Sequence, residues 1–356
     1  MRHSGRAKSP RSCRRILSFA ILLLFAPSLL AAQSADSQLA PLLRQGQRAL
    51  DSGDYALAAT DFEKARALAP ESLEANRGLL LSYLQEKRLD AAEEVGKTAV
   101  ARWPQDAQLQ HWLGLVYFKM DENPKALESL QRAEKLDPSQ FDIHFDLALV
   151  LLSGDQYPEA AQQLETANRL DPKNALAHVL LGRAYQNTNR TEQAIEQFQT
   201  ALRIDPKIPL GHYHLGFAYA SLGRNQEAID EFEKEISNGA ANPSVLYQLG
   251  RCLIDAGELD SAVSYLKQAV EMDPHNPDAA YDLGKGLLLQ GNMEAAIPAL
   301  QHAVELKPDD PSPHYQLARA FERSGRKAEA QKEFQTFAAL KKAQPMTGGM
   351  ATGRNQ

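Results

Sequence analysis

Cysteine is nearly absent from this chain: 356 residues contain two, Cys13 and Cys252. That excludes the disulfide-framework class, in which bridges substitute for a core. Also missing are the short motifs that carry chemistry. There is no glycine-rich loop ending in GK[ST], no HExxH, no CxxC and no GxSxG, so no nucleotide, zinc-peptidase, dithiol or serine-hydrolase signature is present. Sustained period-2 alternation and hairpin dipeptides between apolar runs are lacking too, which excludes a sheet as the main architecture.

Acids are absent from the first 35 residues. Arg2, Arg6, Lys8, Arg11, Arg14 and Arg15 precede an apolar run from Ile16 to Ala32 that ends in Leu30-Ala31-Ala32. A basic stretch, an apolar run and a small-residue end describe a secretory signal peptide over residues 1–32. The run is short for a spanning helix and is interrupted by Pro27, which points to cleavage rather than anchorage. Cys13 precedes the apolar run, so it is not placed for lipid attachment. The chain is thus expected to be exported, periplasmic or secreted, with membrane contact only through an uncleaved leader. Removal of the leader takes away six of the 39 basic residues and none of the 45 acids, leaving a net charge of −12. That balance argues against nucleic acid or anionic membrane as a partner. It also leaves Cys252 alone, so no intramolecular disulfide can hold the mature fold.

What the chain has in quantity is a period. Alanine falls at Ala58, Ala92, Ala126, Ala160, Ala194, Ala228, Ala262, Ala296 and Ala330, every 34 residues without a break. Proline shares another phase at Pro70, Pro104, Pro138, Pro172, Pro206, Pro274 and Pro308. A second small phase holds Gly46, Gly114, Ala148, Gly182, Gly216, Gly250, Gly284 and Ala318, with leucine just before it in most repeats. A large phase holds Phe62, Leu130, Leu164, Phe198, Phe232, Leu266, Leu300 and Phe334. Such a period marks a stacked helical array, and a recurrent small residue marks close backbone approach in every repeat.

Each repeat reads as two helices. Leu215, Gly216 and Tyr219 lie on one face of the first, and Ala194, Phe198 and Ala201 form an apolar stripe on the second. Gly223, Asn189 and Asp155 mark the turn between helices, and Asp-Pro closes most repeats because proline disfavours helix in the residue before it. Nine repeats run from 39 to 344: 39–72, 73–106, 107–140, 141–174, 175–208, 209–242, 243–276, 277–310 and 311–344. Residues 33–38 form a polar linker, and 345–356 a tail expected to be disordered.

The Leu-Gly/Ala pair, Tyr117, Tyr185 and Tyr219 three residues after the small residue, the alanine grid and the closing proline together resemble the tetratricopeptide repeat family. The resemblance covers about 306 of the 356 residues in one register. It implies an all-α fold, a right-handed superhelical α-solenoid of helix-turn-helix repeats. It also implies a non-catalytic scaffold that holds protein or peptide segments in a groove lined by the first helices. No cofactor is implied, and the sequence says nothing of oligomeric state.

Some repeats depart from the pattern. Glu235 and Ala240 replace alanine and proline in repeat 6, and a charge at a close-packing site is expected to loosen the stack there. Gly96 stands where a large residue is expected. Gln331 replaces the aliphatic residue of earlier repeats, as suits a terminal repeat with a polar outer face.

Two residue sets invite a chemical reading. His144, His178, His212 and His314 share one phase, but a metal needs two imidazoles within reach, and neighbouring helix pairs are ~10 Å apart. In the resembled family that phase packs between the two helices, and the same reading applies to this chain. Asp278 and Asp282 lie four apart and read as solvated charges in preference to a catalytic carboxylate pair. No catalytic or metal-binding residue is assigned.

In the resembled family the fifth, ninth and twelfth residues of each repeat face the groove. Here the early repeats present Leu81, Leu84, Leu115, Phe118, Phe145, Leu149 and Leu152. The later ones present Tyr213, Tyr247, Tyr281 and Tyr315 beside Arg251, Lys285 and Arg319. Exposed apolar strips call for a covering partner, and tyrosine and arginine are frequent at binding hot spots. The expectation is an apolar partner segment on repeats 2–4 and a polar or acidic one on repeats 6–9. Two other readings stand beside it: tyrosines that only pack against the next repeat, and an envelope-assembly or polysaccharide-export component that contacts glycans.

Overall fold

The computed structural model describes Met1, residues 38–239 and residues 241–343. The signal-peptide reading, most of the linker, Ala240 and the tail fall outside the described residues. Gln38, at the end of the expected linker, is already helical. Among the described residues there are eighteen helices and no strand, and none is long and apolar enough to cross a membrane.

The chain divides into two compact units after Gln156, within the fourth repeat. The N-terminal unit holds α1 (38–52), α2 (Tyr55–Leu68), α3 (Leu73–Gln85), α4 (Leu89–Arg102), α5 (Ala107–Lys119), α6 (Asn123–Leu136) and α7 (Phe141–Ser153). The C-terminal unit holds α8 (Tyr157–Leu170), α9 (Ala175–Asn187), α10 (Thr191–Ile204), α11 (Gly211–Ser221), α12 (Asn225–Ser237), α13 (Pro243–Ala256), α14 (Leu259–Met272), α15 (Pro277–Leu289), α16 (Met293–Leu306), α17 (Pro311–Arg323) and α18 (Lys327–Ala343). Within each unit every helix packs chiefly on its neighbours in sequence, as an array of helix pairs requires.

The period translates into structure phase by phase. The nine grid alanines are between 0% and 4% exposed. The glycine phase faces the large phase sixteen residues on. A Cβ on Gly182 would meet Phe198 at 2.4 Å, and one on Gly250 or Gly284 would meet Leu266 or Leu300 at 2.5 Å. In these repeats the missing side chain lets the large residue of the second helix seat on the backbone of the first.

The turn between helices is a grid of its own. Gly53, Lys87, Asp121, Asp155, Asn189, Gly223, Gly257, Gly291 and Gly325 all have positive φ, at 34-residue spacing. The next amide bonds back across the turn, as Arg190 does to the Tyr185 carbonyl at 2.9 Å and Glu258 to Leu253 at 2.9 Å. This left-handed cap satisfies carbonyls that the ending helix leaves without partners. At the closing Asp-Pro, Asp171 and Asp205 accept the amides of Lys173 and Lys207 at 3.0 Å, and Asn174 then caps α9 through the amide of Ala177.

In repeat 6 the charged side chain has partners of its own. Leu210 takes a left-handed φ of 62° and gives α11 no side-chain cap. The buried Glu235 carboxylate accepts the amides of Leu210 at 3.2 Å and Tyr213 at 3.1 Å instead. A negative group at a helix N-terminus is favourable, so the charge serves as a distant cap. In repeat 9 Gln331 is exposed, whereas Ile195, Ile229, Val263 and Ile297 are buried. The array thus ends on a polar position.

Candidate functional site

The histidine phase has a structural role. His144, His178 and His314 donate from Nε2 to the carbonyls of Pro138, Pro172 and Pro308 at 2.9, 3.3 and 3.1 Å. Asn76, in the same phase, donates to the Pro70 carbonyl at 3.2 Å. The side chain thus pins the proline turn to the helix that follows it. His212 bonds Glu231 through Nδ1 at 2.6 Å. Among the described residues no three metal-ligating side chains form a cluster.

In the N-terminal unit, Leu81, Leu115, Phe118, Phe145, Leu149 and Leu152 are half-buried on the first helices α3, α5 and α7. Leu84 is a correction: it is 2% exposed and belongs to the core, so no partner can reach it. Sequence reading missed Trp112, also half-buried on α5, one residue beyond the fifth phase. It lines a concavity of about 700 Å³ together with Leu50, Leu73 and Leu81, and a second of about 310 Å³ with His111 and Ile143.

In the C-terminal unit, Tyr213, Tyr247, Tyr281, Lys285 and Arg319 are half-buried, while Arg251 and Tyr315 are more exposed. Tyr247, Arg251, Tyr281 and Lys285 line one concavity of about 480 Å³. It also carries Asp255, Asp278, Asp282, Asp310 and Lys307, so it lacks the cationic character that the sequence suggests. Tyr213 packs instead in edge-on and tilted contacts with His214, Phe217 and Phe232.

Asp282 is a second correction. It is 8% exposed, not solvated. The Tyr247 hydroxyl donates to it, and Arg251 of the same helix approaches it at 3.7 Å. Burial holds its carboxyl above the usual range, opposed by Lys285 and Arg251. Arg251 therefore bridges to the next repeat. The relation recurs: His111 bonds Asp146 at 2.7 Å, and Tyr281 bonds Gln316. A fifth-phase polar group reaches the sixth-phase side chain of the following repeat, which ties neighbours together.

Three tetratricopeptide repeat models match the sequence. One covers residues 43–107, 113–175 and 247–311, a second covers 151–214 and 287–344, and a third covers 211–237. The chain belongs to the tetratricopeptide repeat family. No curated protein matches it. Among solved structures, the Pseudomonas aeruginosa pilF protein is 22% identical, with 59% of this chain and 96% of that one covered and a TM-score of 0.51. The APC/C hetero-tetramer Cut9-Hcn1 is 18% identical, with 75% of this chain and 52% of that one covered and a TM-score of 0.51. At these identities the likeness is one of fold. Tetratricopeptide repeats are in general protein-interaction scaffolds without catalytic machinery.

Proposed function

We propose that this protein is an exported, non-catalytic tetratricopeptide repeat adaptor whose first helices hold segments of partner proteins. The observation that carries the reading is the row of half-buried apolar side chains at Leu81, Leu115, Phe118, Phe145, Leu149 and Leu152, beside Trp112. Leu81 and Trp112 line a concavity of about 700 Å³, and an apolar strip of this length is stabilised by being covered. The leader supports export.

The test is affinity capture from the envelope fraction with wild type and with Leu115→Asp/Leu149→Asp. Loss of the captured proteins with unchanged helicity supports the groove; an unchanged capture profile refutes it. Sequencing the mature N-terminus tests export, with a start at Gln33 expected. The glycan-contact alternative draws on the tyrosine ladder. With the Tyr247 and Tyr281 hydroxyls already bonded across repeats, the protein-segment reading is preferred.

A further inference from the structure

We infer that the Trp112 surface of the N-terminal unit receives a lysine or arginine side chain from an extended protein segment. This rests on the groove reading above and names the chemistry of the partner. Trp112, Arg77 and Gln108 line both concavities of the unit, about 700 and 310 Å³, so the two meet at the indole. The carboxylates around them are Asp51 and Glu74 in one and Asp137 and Asp142 in the other. The cations that share these walls are already engaged: Arg77 is paired with Asp106, and His111 is bonded to Asp146 at 2.7 Å. The surface therefore combines a partly exposed tryptophan with an unbalanced negative rim.

The contrast with the other aromatic side chains is informative. Arg88, Arg190 and Arg224 lie over Tyr83, Tyr185 and Tyr219, with 4.2, 3.9 and 4.4 Å from guanidinium carbon to ring centroid. Among the described residues no cation of the chain lies over Trp112. A lysine or arginine from a partner would lay its methylene stem on the indole and bring its charge to the carboxylates. Phosphate-bearing partners meet repulsion at the same rim.

Leu81, Leu115 and Leu149 follow at one phase of consecutive first helices. Helix spacing of ~10 Å matches three residues of extended chain. The segment should thus carry an apolar residue about every third position, with cationic residues between.

The probes are fluorescein-labelled (Leu-Lys-Ser)4 and its glutamate and glutamine counterparts, titrated against the full chain carrying Trp103→Phe, so that Trp112 is the sole tryptophan. The lysine peptide should shift Trp112 emission, bind at least tenfold more tightly than the glutamate peptide, and weaken as salt rises. Trp112→Ala should weaken it at least tenfold. The exposed-site variant Glu74→Gln/Asp142→Asn should do the same with helicity intact, which covers the case in which the tryptophan variant misfolds. Absent lysine-peptide binding, equal affinity for the glutamate peptide, or binding that survives both variants overturns the inference. If that happens while Leu115→Asp/Leu149→Asp still loses captured envelope proteins, the groove reading stands and only the cation is wrong.

Discussion

Leu80 and Gly96 exchange the sizes that their phases hold in most other repeats. Elsewhere a small residue on the first helix faces a large one sixteen residues later, as Gly46 faces Phe62 and Gly114 faces Leu130. In repeat 2 the first helix carries the leucine and the second the glycine. A Cβ on Gly96 would stand 3.3 Å from Leu80 Cδ1 and 2.9 Å from Leu113 Cδ1. The volume at the crossing is conserved although its source is reversed.

That exchange predicts strong coupling. Gly96→Leu should destabilise by about 1–3 kcal/mol through overpacking. Leu80→Gly should destabilise by about 3–5 kcal/mol through a cavity and lost helix propensity. The double variant restores the usual order and should cost clearly less than the two single changes together. Thermal and urea unfolding of all four proteins measure this; additive losses would show that the sites do not share one space.

Glu235 caps α11 from the following helix. Replacing it with alanine, the residue most repeats have there, should destabilise by about 1–2 kcal/mol because two amides lose their acceptor. Hydrogen exchange should quicken at Leu210 and Tyr213 first. Unchanged protection there would mean that the carboxylate is dispensable.

His214 gives an acid dependence. Burial, with a smaller contribution from Arg183, lowers its pKa from 6.5 to about 4. Between those values the unfolded chain binds a proton that the folded chain refuses, so stability falls as pH drops from about 6.5 towards 4. The loss is on the order of 3 kcal/mol. Its ring stacks on Phe198 with centroids 5.6 Å apart, so His214→Phe keeps the contact and removes the titration. Urea unfolding at pH 7 and pH 5 should show a smaller pH effect in the variant than in wild type.

Cys252 is 4% exposed, and burial pushes its thiol up to about 11. Very little thiolate is present at pH 8, and thiolate is the reactive form. The native protein should react with a thiol reagent many times more slowly than the urea-unfolded chain. Equal rates would place the thiol at the surface.

Much of the repeat was legible because size recurs where geometry demands it. The alanine grid, the proline turn and the histidine phase all landed as read. The capping role of Glu235 was not legible because its partners are amides 22 and 25 residues earlier, and no spacing rule joins a buried carboxylate to a distant helix start. Leu84 was misread because exposure differs within one phase: Leu84 is core while Phe118 and Leu152, 34 and 68 residues on, are half-buried, so the repeat position alone does not set burial. Trp112 escaped because its phase holds residues as different as Gly78, Asp146 and His214.

By itself the sequence determined the module: two helices, a left-handed turn between them and a closing proline, since these depend on backbone sterics and on residue size at fixed positions. Tertiary packing alone decided which polar groups bridge neighbours, as Arg251 does to Asp282, and which aromatic side chains stay partly exposed, as Trp112 does. Those outcomes depend on distances between helices that the periodic pattern brings together but does not measure.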